Sequence, residues 1–192
     1  MLAMNSFMRK INRLEDLHYL KYEMDLRREL IQSLIADKTK SELAHAANTE
    51  DAELIEMLYD AGLTAETLPA LSLAPIALVA WGSGYVTAEE RAIAMQAIFD
   101  SDLSGNGPAI AKFQSWLDSK PNPHLFYLWA NITLDRIKTV RPGTQDAIGE
   151  RMIRLAERVA QASGGFCGFG VVCEGEQAVI NDVRAVFQNR SA

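Results

Sequence analysis

Apolar residues return at helical spacing along nearly the whole chain and nowhere alternate convincingly at period two, which predicts an all-α protein. The first predicted helix covers Asn12 to Asp37. On a helical wheel Leu17, Leu20, Met24, Ile31, Leu34 and Ile35 fall on one side, and Tyr19, Leu26 and Leu30 widen the apolar arc to about half the circumference. An arc that wide exceeds one packing contact, so the helix is expected to pack on two sides, against the body or another chain. Glu15, His18, Tyr22, Asp25 and Glu29 line the opposite side, while Glu23 and Arg27 sit four apart on the apolar one, placed to pair at the edge of an interface.

A second helix is predicted from Ser41 to Ala47, and a third from Asn48 or Thr49 as N-cap to Gly62, with Glu50, Asp51 and Glu53 in its first turn. Thr64 caps a short helix that leads into Leu68–Trp81, the most apolar run, read as a buried core helix with a proline near its start. Thr87-Ala88-Glu89-Glu90 is a capping box, in which the Thr hydroxyl accepts from an orphan amide and the Glu reaches back. The helix it opens is expected to bury Ile93, Ala97 and Ile98. Pro108 suits a helix start, Pro121-Asn122-Pro123 ends one helix and begins the next, and Thr144 is the expected N-cap of a helix that buries Ile148, Met152, Leu155 and Val159. A last helix starts near Glu174. The sum is a compact bundle of about seven to nine helices.

At 192 residues, without a long polar linker, this is one domain. It divides into N-terminal helices (1–48), a first half-repeat (49–120) and a second (121–192). A net charge of −6 argues against general affinity for nucleic acid or anionic lipid, which calls for a basic excess. Leu68–Trp81 falls short of the roughly 20 apolar residues of a spanning helix, so no membrane insertion is expected. Met1–Lys10 lacks a signal-peptide apolar core, which gives a cytoplasmic expectation. Cys167 and Cys173, six apart, form neither a disulfide framework nor a zinc or redox pair.

Two segments share the pattern G-x-V-x-x-x-E between helices. They are Gly84-Tyr85-Val86-Thr87-Ala88-Glu89-Glu90 and Gly170-Val171-Val172-Cys173-Glu174-Gly175-Glu176. Physically, the Gly permits a positive φ after the first helix, the Val plugs into the core, and the Glu caps the second helix. The cap is weaker at Glu176, because Cys173 is a poor N-cap. The spacing equals that of positions 6, 8 and 12 of a calcium-binding loop. Positions 1, 3 and 5 would then be Val79, Trp81 and Ser83, or Gly165, Cys167 and Phe169. Calcium needs carboxylates there, so the standard site is rejected.

At these residues, Leu78-Val79-Ala80-Trp81-Gly82-Ser83-Gly84-Tyr85-Val86-Thr87-Ala88-Glu89-Glu90, the chain resembles the tellurite-resistance TerB-like family. There a helix ending in a small-Asp-Gly turn is followed by Val or Ile, three residues and Glu. The resemblance spans Thr49 to Phe187 and implies a helical bundle of two pseudo-repeats with a bacterial stress-response role. Some members have acidic turn residues implicated in metal binding. Ser83 stands where the family's Asp is expected, which weakens that implication here.

The sharpest rival is a pair of E-x-x-H motifs, Glu15/His18 and Glu42/His45. Residues three apart share a helix face, as in di-metal carboxylate bundles, and Asp25, Glu53 and Glu56 would be the nominal further ligands. Glu15 and His18 fall on the polar arc, where a solvated face is the better reading. His124 is read as an exposed first-turn residue. Cys167 and Cys173 are read as inert thiols packed among Phe166, Phe169 and Val172 in preference to a redox sensor. The glycine-rich stretch 163–170 lacks the lysine and strand context of a phosphate loop. Trp81, Trp116 and Trp129 are expected to be core or interface anchors. No nucleophilic triad can be assembled. The sequence therefore reads as a non-enzymatic protein without a cofactor, acting through a protein partner or homo-oligomer at its N-terminal helix.

Overall fold

The computed structural model describes residues 2–99, 101, 103–162 and 172–188, with the side chains of residues 2–17, 19 and 20 outside the description. The described residues form eight α-helices and no strand. These are α1 (Leu2–Ala47), α2 (Ala52–Asp60), α3 (Ala74–Ala80), α4 (Ala88–Phe99), α5 (Gly107–Asp118), α6 (Leu125–Lys138), α7 (Pro142–Ala162) and α8 (Glu174–Gln188), with a 3-10 segment, Leu68–Leu73, before α3.

The two predicted N-terminal helices are one helix of 46 residues. Neither Pro nor Gly interrupts 37–41. Thr39 Oγ1 donates back to the Ile35 carbonyl at 2.9 Å, and Lys38 pairs with Glu42 at 3.7 Å, so the ladder continues through the expected break. The helix stops at Asn48, which adopts φ 54. Asn48 N–H donates to the His45 carbonyl and Thr49 N–H to the Ala44 carbonyl, the paired bonds that close a helix around a left-handed residue. Asn48 therefore ends α1, and the N-cap of α2 is Asp51, whose carboxylate accepts from Glu53 N at 3.0 Å and Leu54 N at 3.1 Å. Gly62 ends the α2 region at φ 66, as its position predicted. Lys112 Nζ donates to the Gly62 carbonyl at 2.9 Å, and burial pushes its pKa down.

The apolar run is also divided differently. Pro69 and Pro75 each occupy a first turn, where a missing N–H costs nothing, so the run splits into the 3-10 segment and α3. Buried Ala74, Ala77 and Ala80 let α3 sit at the centre, packed against α4, α5, α6, α7 and α8. Trp116 and Trp129 are buried in this core, and Trp81 Nε1 donates to the Trp116 carbonyl at 2.7 Å. Two further corrections concern α7. It begins at Pro142, whose fixed φ suits the first helical position, and not after a Thr144 cap. Ile148, expected inside, is 39% exposed and lines an apolar surface groove of about 350 Å³ with Met152, Leu155, Arg136 and Arg151. Gly149, one residue on, is buried instead. A Cβ there would meet the Phe187 ring at 2.8 Å, so its absence sets the close approach of α7 and α8.

Candidate functional site

Two features stand apart from ordinary packing. One is the place where the turn after α3 meets the start of α8, and the other is the surface of α1.

The helix starts of α4 and α8 are built alike. Glu90 Oε2 accepts from Thr87 N at 2.7 Å and Thr87 Oγ1 at 2.8 Å, and Glu90 N donates to Thr87 Oγ1 at 3.1 Å. Glu176 Oε2 accepts from Cys173 N at 2.8 Å, and Glu176 N donates to Cys173 Sγ at 3.4 Å. Cys173 thus takes the threonine's place, with sulfur as the weaker acceptor. Half-buried, this thiol acts as the cap of α8, a position for which the sequence rated Cys173 a poor residue. Val86 and Val172 both lie against the core. Gly84 has φ 98, the positive φ that its motif position predicted; Gly170, with Cys167 and the rest of 163–171, lies outside the described residues.

The turn that follows α3 closes on the start of α8. A Cβ on Gly175 would collide with the Gly82 carbonyl, and a Cβ on Gly82 would lie 2.5 Å from Glu176 N and 2.7 Å from its Cα. Only two glycines allow the backbones this contact. Glu90 and Glu176 are both fully buried, and the Glu176 carboxyl is near enough to Glu90 to raise its pKa. Oε1 of each has no donor among the described residues, and no ion pair there involves either residue. A carboxylate only accepts, so two in contact repel unless one carries a proton and donates it to the other. Burial raises the Glu90 pKa, the Thr87 hydrogen bonds oppose that, and the Glu176 carboxyl raises it further. Each glutamate is a cap, as its position predicted; the sequence spacing carried no sign that the two share one enclosure.

The E-x-x-H motifs do not come together. Both lie on α1, and His18 and His45 are about 40 Å apart at ~1.5 Å per residue. His18, Glu42 and His45 are exposed, as is His124; the Glu15 side chain lies outside the described residues. Of the nominal further ligands, Glu56 instead pairs with Lys40 at 2.6 Å. No cluster of three potential ligands occurs among the described residues.

Among the described residues, α1 meets the body toward its C-terminal end, chiefly against α2 and the 3-10 segment, where Leu43 and Ala47 are buried. From residue 21 to 35 every residue but Asp25 is exposed. Met24, Leu26, Leu30, Ile31, Leu34 and Ile35 are 55–61% exposed, and Tyr22 63%. Of the two expected partners of this arc, the body and another chain, the body does not cover its described residues from 21 to 35. No described helix is long and apolar enough to cross a membrane. Comparison with protein-family models, with curated proteins and with solved structures finds no match.

Proposed function

We propose that this chain is a non-enzymatic, TerB-like helical protein that works by protein–protein contact through α1, in a bacterial stress response. The stress role and the family follow from the resemblance, supported by two similarly capped helix starts. The contact role rests on one observation: seven large exposed apolar side chains, from Tyr22 to Ile35, lie together on α1, against four exposed on the body, Tyr85, Phe99, Tyr127 and Ile148. A contiguous exposed apolar patch of this kind marks an interaction surface. Protein is favoured over a lipid surface because Lys21, Arg27, Arg28 and Lys38 are balanced by Glu23, Asp25, Glu29 and Asp37, leaving no basic face for anionic headgroups.

The test is the native mass of the full chain in extract of the cells that make it, with and without Leu30→Gln, Ile31→Gln, Leu34→Gln and Ile35→Gln together. The wild type is expected to run well above monomer mass and the quadruple variant at it. Equal monomer masses would contradict the reading. Because these side chains touch solvent, the quadruple variant should change folding stability of the body by less than about 0.5 kcal/mol, measured by urea unfolding.

A further inference from the structure

We propose that the occupant of the α1 face is α1 of a second copy, paired as a parallel, in-register, two-stranded coiled coil. This rests on the reading of α1 as an association surface and goes further by naming the partner and the orientation.

In the sequence, Leu17, Leu20, Met24, Arg27, Ile31 and Leu34 alternate at spacings of three and four, which places them at the a and d positions of a heptad. The flanking positions choose the orientation. In a parallel pair each g residue faces the e residue five further along the other chain. That sets Asp16 against Lys21, Glu23 against Arg28 and Leu30 against Ile35. Two pairs are of opposite charge and the third is apolar. An antiparallel pair would set g against g and e against e, so Asp16 and Glu23 would meet acids, and Lys21 and Arg28 would meet bases. Like charges at such positions repel. The register ends where complementarity ends, since Lys38 follows at a, and Asp37 would face Glu42.

The body leaves the seam clear. At 100° per residue, Ala36, Lys40, Leu43 and Ala47 point about 180° from the midpoint of Ile31 and Leu34. Leu43 and Ala47 are the residues buried against the body. Two parallel helices can therefore meet with both bodies on the outside. Arg27 is the one charge in the seam. Its guanidinium reaches Glu23 of its own chain at 3.8 Å, and its side chain is 76% exposed. A charged seam position limits affinity while fixing register. Tyr22 and Leu26 fall outside the seam, and the pairing does not cover them.

The experiment uses the full chain with Cys167→Ser and Cys173→Ser, carrying either Met24→Cys or Leu34→Cys, under mild oxidation, beside sedimentation of the unoxidised protein over a concentration series. Both variants are expected to form disulfide-linked dimers in high yield, and sedimentation to show a concentration-dependent dimer. An antiparallel pair could link at most one of them, because the positions lie about 15 Å apart along the helix and only residues on its two-fold axis face themselves. Arg27→Leu is expected to tighten the dimer at least tenfold. One link or none in a dimeric protein overturns the parallel register while leaving the association surface standing. A monomer at every concentration overturns self-pairing; if the same chain is heavy in extract, the partner is a different protein. A monomer that instead floats with phosphatidylglycerol vesicles overturns both readings.

Discussion

Gly175→Ala is expected to destabilise the fold by about 3 kcal/mol or more, at the upper end of what overpacking costs. The added Cβ would strike the Gly82 carbonyl, a backbone atom that cannot rotate away. Relief requires α8 to slide from α3, and α8 contributes buried Ile180 and Val183 to the shared core. In thermal unfolding the shift should be about 6–12 °C downward for a chain of this size. Gly82→Ala strains the same contact from the other side, so the double variant should lose less than the sum of the two. Gly84→Ala is the control. Its φ is 98 but nothing lies within 4 Å of an added Cβ, so only backbone strain of about 1–2 kcal/mol applies. A Gly175→Ala protein as stable as wild type would refute the close contact between Gly82 and the start of α8.

The second large effect concerns the enclosed glutamates. Glu90→Ala removes the acceptor for two half-buried donors, Thr87 N and Oγ1, and leaves a void at a fully buried position, for an expected loss of about 3 kcal/mol. Glu90→Gln should behave in the opposite way at neutral pH and above. Its carbonyl can keep the cap, and its amide can donate to the Glu176 carboxylate, which lacks a donor for Oε1. The pH dependence follows from the direction of the shift. The folded chain holds the Glu90 proton above the ordinary value of 4.5, where the unfolded chain has released it. The stability so contributed is complete below that ordinary value and is lost as pH rises through the raised one. Urea unfolding of wild type and Glu90→Gln from pH 4 to pH 9 should therefore show their difference growing with pH in favour of Gln. Other carboxylates, such as Asp118 with Arg91, contribute equally to both proteins and cancel. A difference that stays flat with pH would mean that folding does not raise the Glu90 pKa.

Local signals were legible in the sequence and long-range ones were not. The Thr87–Glu90 box, the glycine stops at Gly62 and Gly84, and the period of the helices are short-range chemistry, and they stand as expected. Asn48 misled because asparagine suits an N-cap and a left-handed helix end equally; the Schellman bonds to Ala44 and His45 decided for the end. The length of α1 was missed because its hydrophobic arc changes sides. From Tyr22 to Ile35 the arc faces solvent, while Leu43 and Ala47 on another side face the body, so one helix read as two. Gly175 offered a faint sign, since a glycine inside the first turn of a helix is costly unless another backbone comes close. That this backbone is Gly82, and that Glu90 lies beside Glu176, depends on how two segments about 90 residues apart fold together. The breadth of the α1 arc was legible from the start, and its exposure gives that breadth a reason.

Amide hydrogen exchange of residues 21–38 in the full chain, followed over a dilution series, tests the central claim most directly. A solvated helix without a partner opens readily, whereas a covered one is protected in proportion to its association. These amides are expected to exchange slowly at high concentration, to speed up on dilution, and to exchange fast at every concentration in the quadruple Gln variant. Wild-type exchange that is fast and independent of concentration, equal to that of the variant, would contradict the account.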